Sequence, residues 1–267
     1  MRLFDVHTHL QDDRLSSVIN EVMSRAEQSG VARIVSCGVH EGDWEPLTRL
    51  AGKYKAIIPT YGLHPWFIKT RTPSWLYILE KLIDKTGASV GEIGLDRMVD
   101  TFDEEDQIAV FTAQLRLAKK YRAPVSLHCR KAWALMADIL EKEGGLPYYG
   151  VIHAYSGSAE MVKVYENLGA FISFAGSVTN PKNKRVAAAV TQVSSDRLLI
   201  ETDSPDILPH GAHGPLNEPA FIRFVLASVA EKRGEPQETI AQMTYENSML
   251  IYGRFRHENP GDASHAF

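Results

Sequence analysis

Short apolar runs bounded by polar turns alternate along the whole chain with longer stretches of helical spacing. The runs predict strands at 2–6, 32–37, 56–61, 89–93, 124–128, 150–153, 170–174 and 197–201. The intervening stretches predict helices at 15–29, 43–53, 74–86, 104–121, 132–143, 159–168 and 182–193, with two more at 218–232 and 236–252 after the last strand. Gly30, Gly87, Gly144 and Gly169 each follow a helical stretch, where a left-handed residue ends a helix at least cost. Eight strands alternating with helices predict a single-domain α/β chain, a (β/α)8 TIM-type barrel with room for distortion, in preference to its main competitor, an open doubly wound sheet. No linker, repeat or low-complexity tract divides the chain, so residues 1–253 are expected to form the barrel domain. Residues 254–267, with Asn259-Pro260-Gly261-Asp262, read as a frayed C-terminal tail.

Composition narrows the class. With 44% hydrophobic and 23% charged residues in 267, the chain matches a globular average and not a disordered, collagenous or coiled-coil protein. A net charge of −4 argues against a large positive field for nucleic acid, so any such contact must be local. The start, Met1 to His7, carries a carboxylate and a histidine where a secretory signal needs an apolar core, and no run is long enough to span a membrane. Only Cys37 and Cys129 are present, too few for a disulfide scaffold, which makes a reducing cytoplasm the expected setting.

The chemistry lies where the predicted strands end. Of ten histidines, His7, His9, His64, His128 and His153 fall at or just past the C-terminal end of a strand, and a barrel gathers all those ends on one face. His7 and His9, two apart on an extended backbone, point to the same side. A lone His-x-His is common by chance and a lone histidine closing a strand is more often structural. Their joint occurrence with Glu92, held between Gly91 and Gly94, and with Asp203 in Glu201-Thr202-Asp203, reverses that balance. Four imidazoles and two carboxylates exceed one tetrahedral zinc and suit two divalent ions sharing a carboxylate. A histidine-rich set favours Zn²⁺ or Mn²⁺ over Mg²⁺. His64, one imidazole beyond that set, suggests a substrate contact or proton transfer. Arg130 and Lys131, directly after His128 and Cys129, suggest binding of an anionic substrate, against the plainer reading of a surface helix start. His40, His210, His213, His257 and His265 read as solvated loop or tail residues.

Other chemistries find no support. There is no Gly-x-Ser-x-Gly elbow, no Walker loop and no Gly-x-Gly-x-x-Gly fingerprint. Phe221, Val225, Leu226 and Val229 form a core-facing helical stripe, and of the tryptophans only Trp66 is better placed for stacking than for packing.

These motifs, in this order, make the chain similar to the TatD family of metal-dependent deoxyribonucleases, within the amidohydrolase-like hydrolases with a distorted (β/α)8 barrel. The resemblance runs over nearly the whole sequence, through Asp5-Val6-His7-Thr8-His9, Gly62-Leu63-His64-Pro65, Gly91 to Asp96, Pro124 to Arg130, His153 to Gly157, Glu201 to Pro205, Asn217-Glu218-Pro219 and Glu246-Asn247. It implies a first metal held by His7, His9, Glu92 and Asp203 and a second by Glu92, His128 and His153, with Glu92 bridging. It further implies that His64 contacts the scissile phosphate, that Asp203 orients or deprotonates the attacking water, and that the enzyme shortens single-stranded DNA from the 3′ end, with Mg²⁺ among the usable ions. Five positions depart from the family pattern: Trp66, Arg97, Cys129, Ala154 and Tyr155. All are expected at the substrate mouth and so bear on the substrate, not on the metal chemistry.

The resulting expectation is a metal-dependent phosphodiesterase acting on DNA, with Asp203, Glu92 and His64 as catalytic residues and no membrane or obligate protein partner. The same ligands would also serve hydrolysis of an amide, a lactone or an aminoacyl-tRNA ester. A catalytically silent binding module would be marked by missing ligands, and none is missing.

Overall fold

In a computed structural model that describes residues 1–99 and 103–253, eight parallel strands pair in strict chain order. They are β1 Leu3–Thr8, β2 Val31–Gly38, β3 Ile57–Tyr61, β4 Ser89–Asp96, β5 Val125–Arg130, β6 Gly150–Ile152, β7 Ala170–Phe174 and β8 Leu198–Ile200. The helices are α1 Asp13–Ser16, α2 Ile19–Gln28, α3 Glu41–Lys53, α4 Trp75–Thr86, α5 Glu104–Lys120, α6 Trp133–Lys142, α7 Ala159–Asn167, α8 Lys184–Gln192, α9 Ile222–Arg233 and α10 Gln237–Tyr252. The architecture is the expected TIM-type barrel. The predicted tail at 254–267 lies outside the described residues.

The barrel is distorted where β8 meets β1. Ladder contact is confined to the C-terminal rim, where the Asp203 N–H donates to the His7 carbonyl at 3.0 Å and the His9 N–H to the Ser204 carbonyl at 2.7 Å. Below the rim the buried Asp5 carboxylate takes the place of ladder bonds, accepting from the Thr202 N–H at 2.9 Å and the Thr202 hydroxyl at 2.5 Å. Helix α10 packs against both β1 and β8. Its Ile251 and Tyr252 join Phe4, Val6, Val35, Phe171 and Leu199 in the interior cluster, so the barrel is a filled core and not a pore.

Two irregularities matter more for the site than the regular pairing. From Asp5 to Thr8 strand β1 advances three residues while β2 advances two, from Ile34 to Ser36. From Val90 to Ile93 strand β4 advances three while β5 advances two, from Val125 to Leu127. Each extra residue shifts the inward and outward parity and re-aims the side chains that follow. The bulge in β1 lets Phe4 and Val6 fill the core and His7 and His9 still turn inward above them. The bulge in β4 contains Glu92.

Boundaries differ from expectation in informative ways. The helix predicted at 15–29 is two, α1 and α2, broken at Ser17 and Val18. The helix predicted from 218 begins with a 3-10 turn at Pro219–Phe221 ahead of α9. Strands β4 and β5 run on to Asp96 and Arg130, so Glu92 and His128 sit inside strands instead of at their ends. At Gly94 a Cβ would lie 1.9 Å from the His128 carbonyl oxygen, so only glycine lets β4 pass this close to β5.

Candidate metal centre

Four donor atoms meet at the top of β1. His7 Nε2 lies 3.2 Å from Glu92 Oε2 and 3.3 Å from His9 Nε2, and His9 Nε2 lies 3.3 Å from Glu92 Oε2. Asp203 Oδ1 is 3.7 Å from His7 Nε2 and 3.6 Å from His9 Nε2. Ligands held tetrahedrally at about 2.0–2.2 Å from one ion are themselves about 3.3–3.6 Å apart, so this set has the spacing of a single coordination shell. A second set gathers on the other oxygen of the same carboxylate. Glu92 Oε1 is 2.8 Å from His153 Nε2, 3.0 Å from His128 Nδ1 and 3.3 Å from His64 Nε2, and the His128 and His153 nitrogens are 3.1 Å apart.

The outer nitrogens of these rings decide what the inner ones can do. His9 Nδ1 faces the Cys37 carbonyl at 2.9 Å and His7 Nδ1 faces the Ser126 hydroxyl at 3.0 Å. His128 Nε2 faces Asp96 Oδ2 at 3.2 Å, and His153 Nδ1 faces Glu201 Oε1 at 3.5 Å. At His9 and His128 the carbonyl or carboxylate acceptor on the outer nitrogen puts the proton there and turns a lone pair inward, the arrangement of metal-ligating histidines, whereas His153 Nδ1 makes no hydrogen bond among the described residues. Lone pairs and carboxylate oxygens at such separations repel unless positive charge lies between them, so the donor set fits divalent cations. His64 is built the opposite way. Its Nδ1 accepts the Trp66 N–H at 3.1 Å, which leaves the ring proton on Nε2, facing the site as a donor.

The electrostatics agree. Burial alone would raise the Glu92 carboxyl, but the surrounding imidazoles of His153, His64, His7 and His128 outweigh it and hold it well below the usual range. Asp203 is likewise lowered against burial, by the His9 contact and the charges of His153 and His7. Burial would lower His9, yet Asp203 and Glu92 push it up to about 9, and Glu92 and Glu201 push His153 well up in the same way. The carboxylates thus draw positive charge into the cluster as protons, which a divalent ion would replace. Burial takes His64 down to about 4 despite Glu92, keeping it neutral. Asp96, which burial would raise, is held at about 2 by hydrogen bonds from His128, Trp66 and the Met98 amide.

Backbone geometry at the rim is strained where His153 and Asp203 are presented. Ala154, after His153, has φ +42° and Asp203 has φ +58°, left-handed conformations that cost a non-glycine residue about 1–2 kcal/mol. The Ala154 N–H is tied to Glu201 Oε1 at 2.7 Å.

The cluster forms the floor of a cavity of about 750 Å³. Arg130 lines it. Lys131, which is exposed, does not. His40, read from sequence as a solvated loop residue, instead caps α3 by accepting the Gly42 N–H at 3.0 Å and lines the cavity against Phe67. His210 and His213 are exposed, and His257 and His265 lie outside the described residues. Sequence reasoning missed Asp96 and Glu201, buried carboxylates behind His128 and His153. Their signal was available, since both stand at or just past a strand's C-terminal end, the placement that singled out Asp203.

Residues 4–253 match the family described as TatD related DNase. The chain belongs to that family. An uncharacterized metal-dependent hydrolase of Bacillus subtilis is 33% identical over 251 residues, covering 94% of this chain and 98% of that one. A protein of Klebsiella pneumoniae named 3'-5' ssDNA/RNA exonuclease TatD is 31% identical, with 94% and 98% covered. The crystal structure of YJJV, a TatD homologue of Escherichia coli, superimposes with a TM-score of 0.90 at 31% identity, again over 94% and 98%. This TatD-family chain is therefore a metal-dependent hydrolase. Of the five positions where it departs from the family pattern, Trp66, Cys129 and Ala154 line the cavity. Arg97 and Tyr155 do not: Arg97 pairs with Glu104 on the outside, and Tyr155 is buried against Trp133 and Phe174. Among the described residues no helix is long and apolar enough to cross a membrane.

Proposed function

We propose that residues 1–253 form the catalytic barrel of a deoxyribonuclease that shortens single-stranded DNA from its 3′ end with two divalent ions. The observation that carries the ion count is the division of Glu92, with Oε2 facing His7 and His9 and Oε1 facing His128 and His153. In this reading His7, His9, Glu92 and Asp203 would hold one ion and Glu92, His128 and His153 the other, with Zn²⁺ or Mn²⁺ suiting the imidazoles better than Mg²⁺. Bound ions of this kind acidify water into a nucleophile and screen the charge of a phosphate.

The chain's own groups supply the rest. Asp203, ionised at neutral pH, accepts a proton from the attacking water. His64, neutral and carrying its proton on Nε2, donates a hydrogen bond to a phosphate oxygen. Arg130, on the cavity wall, meets a phosphate of the strand, and the exposed Lys131 can reach only one further out. The name of the Klebsiella pneumoniae relative supports a nucleic-acid substrate. Two buried free cysteines suit a reducing cytoplasm as the place of action.

One observation favours a second reading, hydrolysis of an amide, lactone or aminoacyl ester: Asp12, Asp13 and Asp206 all stand on the cavity rim, which disfavours a polyanion on that side. The test is incubation of metal-loaded protein with 3′-labelled and 5′-labelled single-stranded DNA beside an ester and lactone panel. Mononucleotide release from the 3′ end supports the proposal. Turnover of the panel with intact DNA overturns it in favour of the second reading.

A further inference from the structure

The rim of the cavity is built asymmetrically. On the side of β1 and β8, Arg14 is gripped by Asp12 at 2.8 Å and Asp206 at 2.9 Å, two carboxylates on one guanidinium, with Asp13 beside them. On the side of β2 to β4 the wall carries Val39, His40, Pro46, Trp66 and Phe67, and the carboxylate of Asp43 on that side is turned onto the Val39 and His40 N–H groups. Beyond it, on β5, lies Arg130, which among the described residues makes no ion pair, next to Asp96 in the β4 and β5 register.

Trp66 stands out on that wall. The residue is 56% exposed, a large apolar surface left in water, yet its indole is tied at one edge. The indole Nε1–H donates to Asp96 Oδ2 at 2.8 Å, the same oxygen that faces His128 Nε2 at 3.2 Å, and the ring stands edge-on to His64 with centres 5.1 Å apart. An exposed aromatic side chain, hydrogen-bonded to a buried carboxylate beside the reacting groups and lining the same cavity as a cation without an ion pair, has the construction of a stacking platform for a flat ring.

We propose that the Trp66 indole is the platform on which the terminal nucleobase of the strand stacks, with the strand leaving the site along the aromatic wall past Arg130 and away from the acidic rim. Trp66 is then a specificity-determining residue. This rests on the nuclease reading, and it goes beyond it by assigning where the base sits. Because every base has a π-face, such a platform selects for the presence of a base and not for its identity.

The test has two arms, each on metal-loaded protein with metal content measured. In the first, tryptophan fluorescence is followed on adding dAMP or deoxyribose 5-phosphate, which share sugar and phosphate and differ in the base. dAMP is expected to quench and to bind more tightly, and the change is expected to vanish in W66F, which assigns it to this ring. In the second, kcat/KM is compared for single strands ending at the 3′ side in a normal or an abasic residue. Wild type should prefer the base-bearing end on the order of tenfold or more. W66F, which keeps a ring but loses the bond to Asp96, should retain most of that preference, and W66L should lose it. Equal binding of the two small probes, or an undiminished preference in W66L with its metal intact, overturns the proposal. If W66L does not fold, the wild-type comparison of dAMP with deoxyribose 5-phosphate decides. Quenching by dAMP without any DNA cleavage would sink the nuclease reading and leave the base platform standing.

Discussion

Glu201 lies wholly buried behind His153, with Oε1 3.5 Å from the ring's Nδ1 and 2.7 Å from the Ala154 amide, while Oε2 meets no partner among the described residues. The carboxylate ties down the left-handed turn after His153 by a hydrogen bond and sets negative charge beside the ring, whose Nδ1 makes no hydrogen bond among the described residues. Glu201→Leu removes the oxygen that faces Nδ1 and the negative charge beside the ring, so nothing favours the tautomer whose lone pair turns inward. Metal affinity at the site of His128 and His153 is expected to fall about 10- to 100-fold, as is common for such outer partners. Calorimetric metal titration checks this, with Tm as the control for folding. Unchanged affinity would show that Glu201 serves only the turn.

Asp203→Asn preserves size and removes the charge and the proton acceptor. With two imidazoles and Glu92 still holding the second site, this variant should keep that ion yet lose at least about 10²-fold in kcat on the true substrate. A mere strand-end cap would instead give a less stable protein with nearly full turnover. Kinetics, metal analysis and thermal melting on one preparation separate the two.

Arg130 makes no ion pair among the described residues and stands on the cavity wall. Replacing it with alanine should raise KM for single-stranded DNA with metal content intact. The slope of log affinity against log salt should become shallower by about 0.7 for one lost phosphate contact. An unaltered slope would remove Arg130 from the substrate path.

Acid and alkali should act on the metal-free protein in opposite senses through two histidines. His9 is raised to about 9 in the folded chain, so its contribution is full below the unfolded value near 6.5 and is lost as pH rises through about 9. His64 is depressed to about 4, so its contribution is present above about 6.5 and is lost as pH falls toward about 4. With chelator, Tm should therefore peak near pH 6.5 and decline on both sides. Saturating Zn²⁺ or Mn²⁺ should erase the alkaline decline, because the ion takes the place of the His9 proton. A chelated protein whose Tm is flat from pH 6.5 to 9 would contradict this.

The alternation of apolar runs with helical stretches was enough to count eight strands and to order them, because strand period and turn chemistry are local properties of a few residues. It also brought His7, His9, Glu92, His128, His153 and Asp203 to one face, since in a barrel of parallel strands every C-terminal end lies on the same side. What those residues do there was not local. The bulges in β1 and β4 exist only relative to β2 and β5, and they decide that His9 and Glu92 point inward. Which nitrogen of each ring faces the cluster depends on partners such as Asp96, Ser126 and Glu201, brought next to the rings by pairing of the strands. The same closure brings Arg14, Trp66 and Arg130 to one cavity, which the neighbouring Lys131 does not line. Spacing along the chain carries no information about such contacts, because they form between segments up to about two hundred residues apart and are fixed by the closing of the barrel.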